Sequence, residues 1–79
     1  MSKASVYFTL GHPLEKHSIK AVKQGLGALP GVFSVSAGEG SGRVAVDFDT
    51  SGVRSAQIQK QLESLGYQVL DSTLDEHVM

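Results

Sequence analysis

The sequence predicts an α+β domain of element order βαββαβ, and three observations carry that reading. Apolar residues recur at every second position in Val6-Phe8-Leu10 and in Val44-Val46-Phe48, the period of a half-buried strand. Ile19, Val22, Leu26 and Leu29 recur at spacings of three and four, which is one face of a helix. Glycine- and proline-bearing breaks separate these stretches.

Taken in order, Ser5 to Leu10 alternates and is rich in β-branched and aromatic residues, so it reads as the first strand, and Gly11-His12-Pro13 breaks it. The first helix follows, opening near Pro13, a residue suited to the first helical position. Lys16, Lys20, Lys23 and Gln24 fall mostly opposite its apolar face. Gly25 and Gly27 each cost a helix up to about 1 kcal/mol against alanine, so a close backbone approach to the sheet is expected there. Pro30-Gly31 ends the helix. Val32 to Ala37 and Arg43 to Asp49 alternate on either side of Gly38-Glu39-Gly40-Ser41-Gly42, a hairpin by composition. A second helix follows Thr50-Ser51-Gly52, with Ser55 as its N-cap and Ile58, Leu62 and Leu65 as its buried stripe. Gly66 caps it, and Tyr67 to Leu70 is a short last strand. Short connections and right-handed crossovers turn this order into a four-stranded antiparallel sheet with both helices on one face, the ferredoxin-like split βαβ.

Residues 1–79 make one domain, with a core from about residue 4 to 71 and an acidic tail, 72–79, expected to fray. A chain this short buries only about 60% of its unfolded surface, and without cysteine it has no disulfide to compensate. The net charge of −1 gives no support to nucleic-acid binding. No apolar run approaches the roughly 20 residues that span a bilayer, so no membrane insertion is expected. Met1-Ser2-Lys3-Ala4 lacks the apolar core of a signal peptide, and a cytoplasmic protein, or the cytoplasmic piece of a transporter, is expected. No enzyme is read here. The glycines of the hairpin do not lie between a strand and a helix as a phosphate loop requires, and Ser18 beside His17 has no orienting carboxylate.

Several landmarks together resemble the heavy-metal-associated domain of copper chaperones and of the N-terminal arms of metal-pumping ATPases. They are the strand-loop-helix from Leu10 to Val32, Leu29-Pro30-Gly31-Val32 leading to Val35, Val44-x-Val46-x-Phe48-Asp49, and Ile58-x-x-x-Leu62-Glu63-x-Leu65-Gly66-Tyr67-x-Val69. In that family the loop before the first helix carries Met-x-Cys-x-x-Cys, whose two thiolates hold the metal. Here it reads Gly11-His12-Pro13-Leu14-Glu15-Lys16-His17-Ser18. Aligning Leu10 and the helix core without a gap puts Glu15 at the first cysteine and Ser18 at the second. A register that matches Gly11 to the family's glycine instead puts Leu14 and His17 there. The ungapped register satisfies both flanks.

Neither register leaves a soft ligand. Copper(I) favours thiolate or thioether, and the only sulfurs are Met1 and Met79 at the chain ends, so Cu(I) held by thiolates is excluded. His12, Glu15 and His17 remain as candidate ligands, a set that suits a divalent transition metal: Ni(II), Co(II), Zn(II) or Cu(II). His77, with Asp75 and Glu76, reaches the loop only if the tail folds back. Glu15 has a second reading, since a carboxylate at a helix N-terminus is stabilised by the helix dipole alone. Exposed loop histidines likewise need no ligand. Lys16, Lys20 and Lys23 either solvate the first helix or, as the resemblance implies, dock a partner domain of a metal transporter. Tyr67 matches an aromatic that lies near the metal loop in the family, and is otherwise a core-edge ring.

Three functions stay open in this order. The first is a metal-binding and trafficking domain, free or at the N-terminus of a transport ATPase. The second is a metal-free interaction or regulatory module. The third is a small-molecule regulatory domain similar to the ACT type, to which the Leu-Gly-His-Pro loop also bears some likeness.

Overall fold

The computed structural model describes residues 3–77 and has the expected order. β1 (Lys3–Leu10), α1 (Lys16–Gly27), β2 (Val32–Ala37), β3 (Arg43–Asp49), α2 (Ser55–Ser64) and β4 (Val69–His77) follow one another. The strands form one antiparallel sheet in the order β2-β3-β1-β4. Alternation does what it must in such a sheet: Val6, Phe8, Val44, Val46 and Phe48 are buried under the helices, with Val22 and Leu26 of α1 and Ile58 and Leu62 of α2 packed over them. Tyr7, Thr9 and Arg43 therefore alternate onto the face that no helix covers.

Four local expectations are corrected. The first helix opens at Lys16, with Glu15 at the N-cap, rather than near Pro13. The carbonyl of Leu14 is already taken by the amide of Gly40, so the first helical bond is Ile19 N–H to the Glu15 carbonyl, 2.9 Å. The second helix is capped at Arg54, not Ser55, because the Gln57 side chain accepts the Arg54 amide at 2.9 Å. Leu65 is 38% exposed and completes no buried stripe. Gly25 does mark a close approach, but to α2: a Cβ there would lie 2.7 Å from Leu65 Cδ1, while one on Gly27 would meet nothing within 4 Å.

The tail is the largest correction. β4 does not stop at Leu70 but continues to His77, paired with β1 from Leu10↔Val69 to Lys3↔His77. The cause is tertiary. β3 pairs with only one side of β1, and the other side offers backbone groups that the exposed tail satisfies by pairing.

Gly31, at φ +87°, turns the chain into β2 and lies backbone to backbone against Gly52, where a Cβ on Gly52 would sit 3.0 Å from the Gly31 Cα. The Gly31 carbonyl accepts the Asp49 amide at 2.7 Å, which ties the start of β2 to the end of β3.

Candidate functional site

The loop between β1 and α1 is held from outside itself. Leu14 is only 2% exposed and plugs into the core cluster. Its amide donates to the Ser41 carbonyl at 2.9 Å, and its carbonyl accepts the Gly40 amide at 2.8 Å. On the strand side, the Leu10 amide donates to the Gly42 carbonyl at 2.6 Å and the Gly11 amide to the Gln68 carbonyl at 3.0 Å. Gly42 is needed for this clamp, because a Cβ there would sit 3.0 Å from the Leu10 carbonyl oxygen. The loop backbone is thus fastened to the β2–β3 hairpin and to the segment after α2.

The side chains it presents are free by contrast. His12, Glu15, Lys16 and His17 are all exposed. Glu15 has extended dihedrals, φ −94° and ψ 167°, and makes no side-chain capping bond. Because it stands outside the helix, its carboxylate turns toward His17 in the first turn, with Oε2 3.4 Å from Nε2. Inside a helix, residues two apart would point away from each other. Glu15 and His17 are at 75% and 80% side-chain exposure, so their attraction is screened by water.

The predicted ligand set is brought together only as that pair. Among the described residues no group of three or more His, Cys, Asp or Glu is placed to hold a metal ion, so His12 does not complete a set with Glu15 and His17. His77 pairs with Lys3 at the far end of β1. It lies roughly 20 Å along the strand from the loop at about 3.3 Å per residue. The tail does fold back, but it runs away from the loop. Met1 and Met79, the only sulfurs, lie outside the described residues. Ser18 is half-buried. Lys16, Lys20 and Lys23 are exposed on α1. Tyr67 is half-buried against the core, and the carbonyl of its neighbour Gln68 accepts the Gly11 amide of the loop.

Sequence reasoning missed Leu14. Its only signal was a lone leucine in a polar loop, which no periodicity marks. Its burial also bears on the register. The gapped alignment would put an interior leucine at a metal-facing position, whereas the ungapped one puts exposed Glu15 there.

No family profile and no curated protein sequence matches the chain. Solved structures do. The CopZ metallochaperone superposes with a TM-score of 0.78 at 27% identity, covering 84% of this chain and 98% of that one. The copper binding domain from HMA7, a P-type ATPase, gives 0.73 at 24% identity over 91% of this chain and 97% of its own. Oxidized MerP from Ralstonia metallidurans CH34 gives 0.76 at 18% over 91% and 96%, a likeness of fold. The chain thus shares its fold with these proteins, and its similarity to the CopZ metallochaperone at 27% identity agrees with the landmarks already described. The chain contains no cysteine, so it carries no Cys-x-x-Cys motif.

Proposed function

We propose that this domain binds and passes on a divalent transition metal at the loop before α1. Glu15 and His17 supply an exposed two-ligand seat, and His12 joins when the ion arrives. The observation that carries the reading is the Glu15–His17 contact of 3.4 Å at the register position of the family's first cysteine. The likeness to a metallochaperone supports metal handling in general. Imidazole and carboxylate point to Ni(II), Co(II), Zn(II) or Cu(II). A two-ligand, water-exposed seat binds such an ion weakly and releases it fast, as a carrier in the cytoplasm or an ATPase arm would need. Tyr67 walls the loop from the side of Gln68, and an acidic partner domain docks on Lys16, Lys20 and Lys23.

Titration of the ¹⁵N-labelled chain with Ni(II), Co(II) or Zn(II) tests this. The amides of residues 12–18 respond first, and a His12→Ala, His17→Ala double variant loses the response. Shifts scattered over the surface, or unchanged in the double variant, would refute the proposal.

A second reading has its own supporting observation, the lack of any three-ligand cluster among the described residues. On that reading the domain is a metal-free interaction module that docks through α1. Lys20→Glu with Lys23→Glu then weakens a salt-sensitive complex, while metal has no effect on it.

A further inference from the structure

The uncovered face of the sheet carries a cavity of about 600 Å³, within the range of roughly 300–1,000 Å³ typical of small-molecule sites. Its floor is built by strand register. Tyr7 lies between Ala45 and Thr73, and in the adjoining row Thr9 lies between Arg43 and Asp71. Lys23 lines the same cavity from α1, which packs against the edge strand β2.

The charges are ordered across this floor. Strand order puts Arg43 on β3, toward the β2 edge and Lys23, and puts Asp71 on β4 at the opposite edge. No ion pair is recorded for Lys23 or Arg43 among the described residues. The hydrogen bond recorded for Arg43 uses its backbone amide, donated to Ser41 Oγ at 3.1 Å. Asp71 accepts the Ser72 amide at 2.9 Å. Two cations thus face one carboxylate, and they stand at the end away from it. In the middle Tyr7 is 46% exposed, an aromatic on an open sheet face with only small neighbours, Ala45 and Thr73, beside it.

We propose that this face is a second binding site, separate from the loop, for a small planar ring carrying one anionic group. The ring lies against Tyr7 over Ala45 and Thr73. Its phosphate or carboxylate lies between Lys23 and Arg43, and a ring donor on the far side meets Asp71. Stacking on the tyrosine and charge-assisted bonds to the guanidinium supply recognition by different physics, so each is removable alone.

The test is titration of the ¹⁵N-labelled full chain with adenosine 5′-monophosphate, adenosine, and inorganic phosphate. The monophosphate shifts the amides of Tyr7, Thr9, Arg43, Ala45 and Thr73 to saturation. Arg43→Gln weakens it by roughly tenfold or more, the loss of a charged hydrogen bond, yet leaves adenosine unaffected. Tyr7→Leu weakens both, whereas Tyr7→Phe and Arg43→Lys retain most of the affinity and guard against a folding artefact. Monophosphate shifts that match those of phosphate alone, or an Arg43→Gln variant that binds like the parent, would overturn the proposal. So would no response to the monophosphate.

Discussion

Replacing Leu14 with alanine tests whether the loop is anchored from below. The side chain is 2% exposed within the core cluster. Truncating a buried leucine costs about 2–5 kcal/mol, depending on how far the site collapses. A loss of at least about 2–3 kcal/mol is expected. A chain of this length has a total stability of roughly 4–12 kcal/mol. The substitution therefore removes a large share of it and lowers Tm by roughly 10–20 °C. Thermal unfolding followed by circular dichroism measures the shift, with Leu14→Met as the volume-conserving control, expected to cost less than about 1.5 kcal/mol. Hydrogen exchange reads the anchor directly: the amides of Leu14 and Gly40, protected by their bonds to the hairpin and the loop, speed up in the alanine variant. A Tm within a few degrees of the parent, with both amides still protected, would refute the anchor.

Three other predictions follow from the packing. Gly27→Ala stabilises the chain by about 0.5–1 kcal/mol because the new Cβ meets nothing. Gly25→Ala gains less or loses, since Leu65 must first swing away; denaturant midpoints of the two variants separate them. Deleting residues 73–79 removes the β4 partners of Lys3 to Tyr7. At roughly 0.5–1.5 kcal/mol per hydrogen bond, the loss reaches several kcal/mol, and a truncated chain as stable as the parent would refute the long β4. Asp49 accepts the amide of Ser51 at 3.0 Å and its hydroxyl at 2.8 Å, which holds its carboxyl below the ordinary 3.8. A depressed folded value means stabilisation present above the unfolded pKa and lost as pH falls through the folded one. Asp49→Asn should flatten the fall in stability below about pH 4 in acid titrations monitored by circular dichroism.

The element order and the core stripes were legible because burial imposes a period, and Val6, Phe8, Val22, Leu26, Val44, Val46, Phe48, Ile58 and Leu62 all obey it. β4 was legible only to Leu70. Beyond it, Asp71-Ser72-Thr73-Leu74-Asp75 offers one apolar residue to the period, and the strand exists because β1 has an unfilled side. The start of α1 was misplaced for a related reason. Pro13 is a good first helical residue, but the hairpin takes the Leu14 carbonyl first. At the site, chain order put His12, Glu15 and His17 together, while the structure joins only the last two. Spacing along a chain says which groups are neighbours and not where a loop aims them.

The clamped loop has an evolutionary consequence. Its shape is set by main-chain bonds from Leu10, Gly11 and Leu14 to Gly42, Gln68, Ser41 and Gly40, and by one buried leucine. None of these depends on which side chains stand at positions 12, 15, 16, 17 or 18. Those positions can drift at little cost to folding, so a lineage can discard one ligand chemistry and try another on an unchanged platform. A domain that presents Glu15, His17 and Ser18 from a loop clamped in this way is a product such a platform permits.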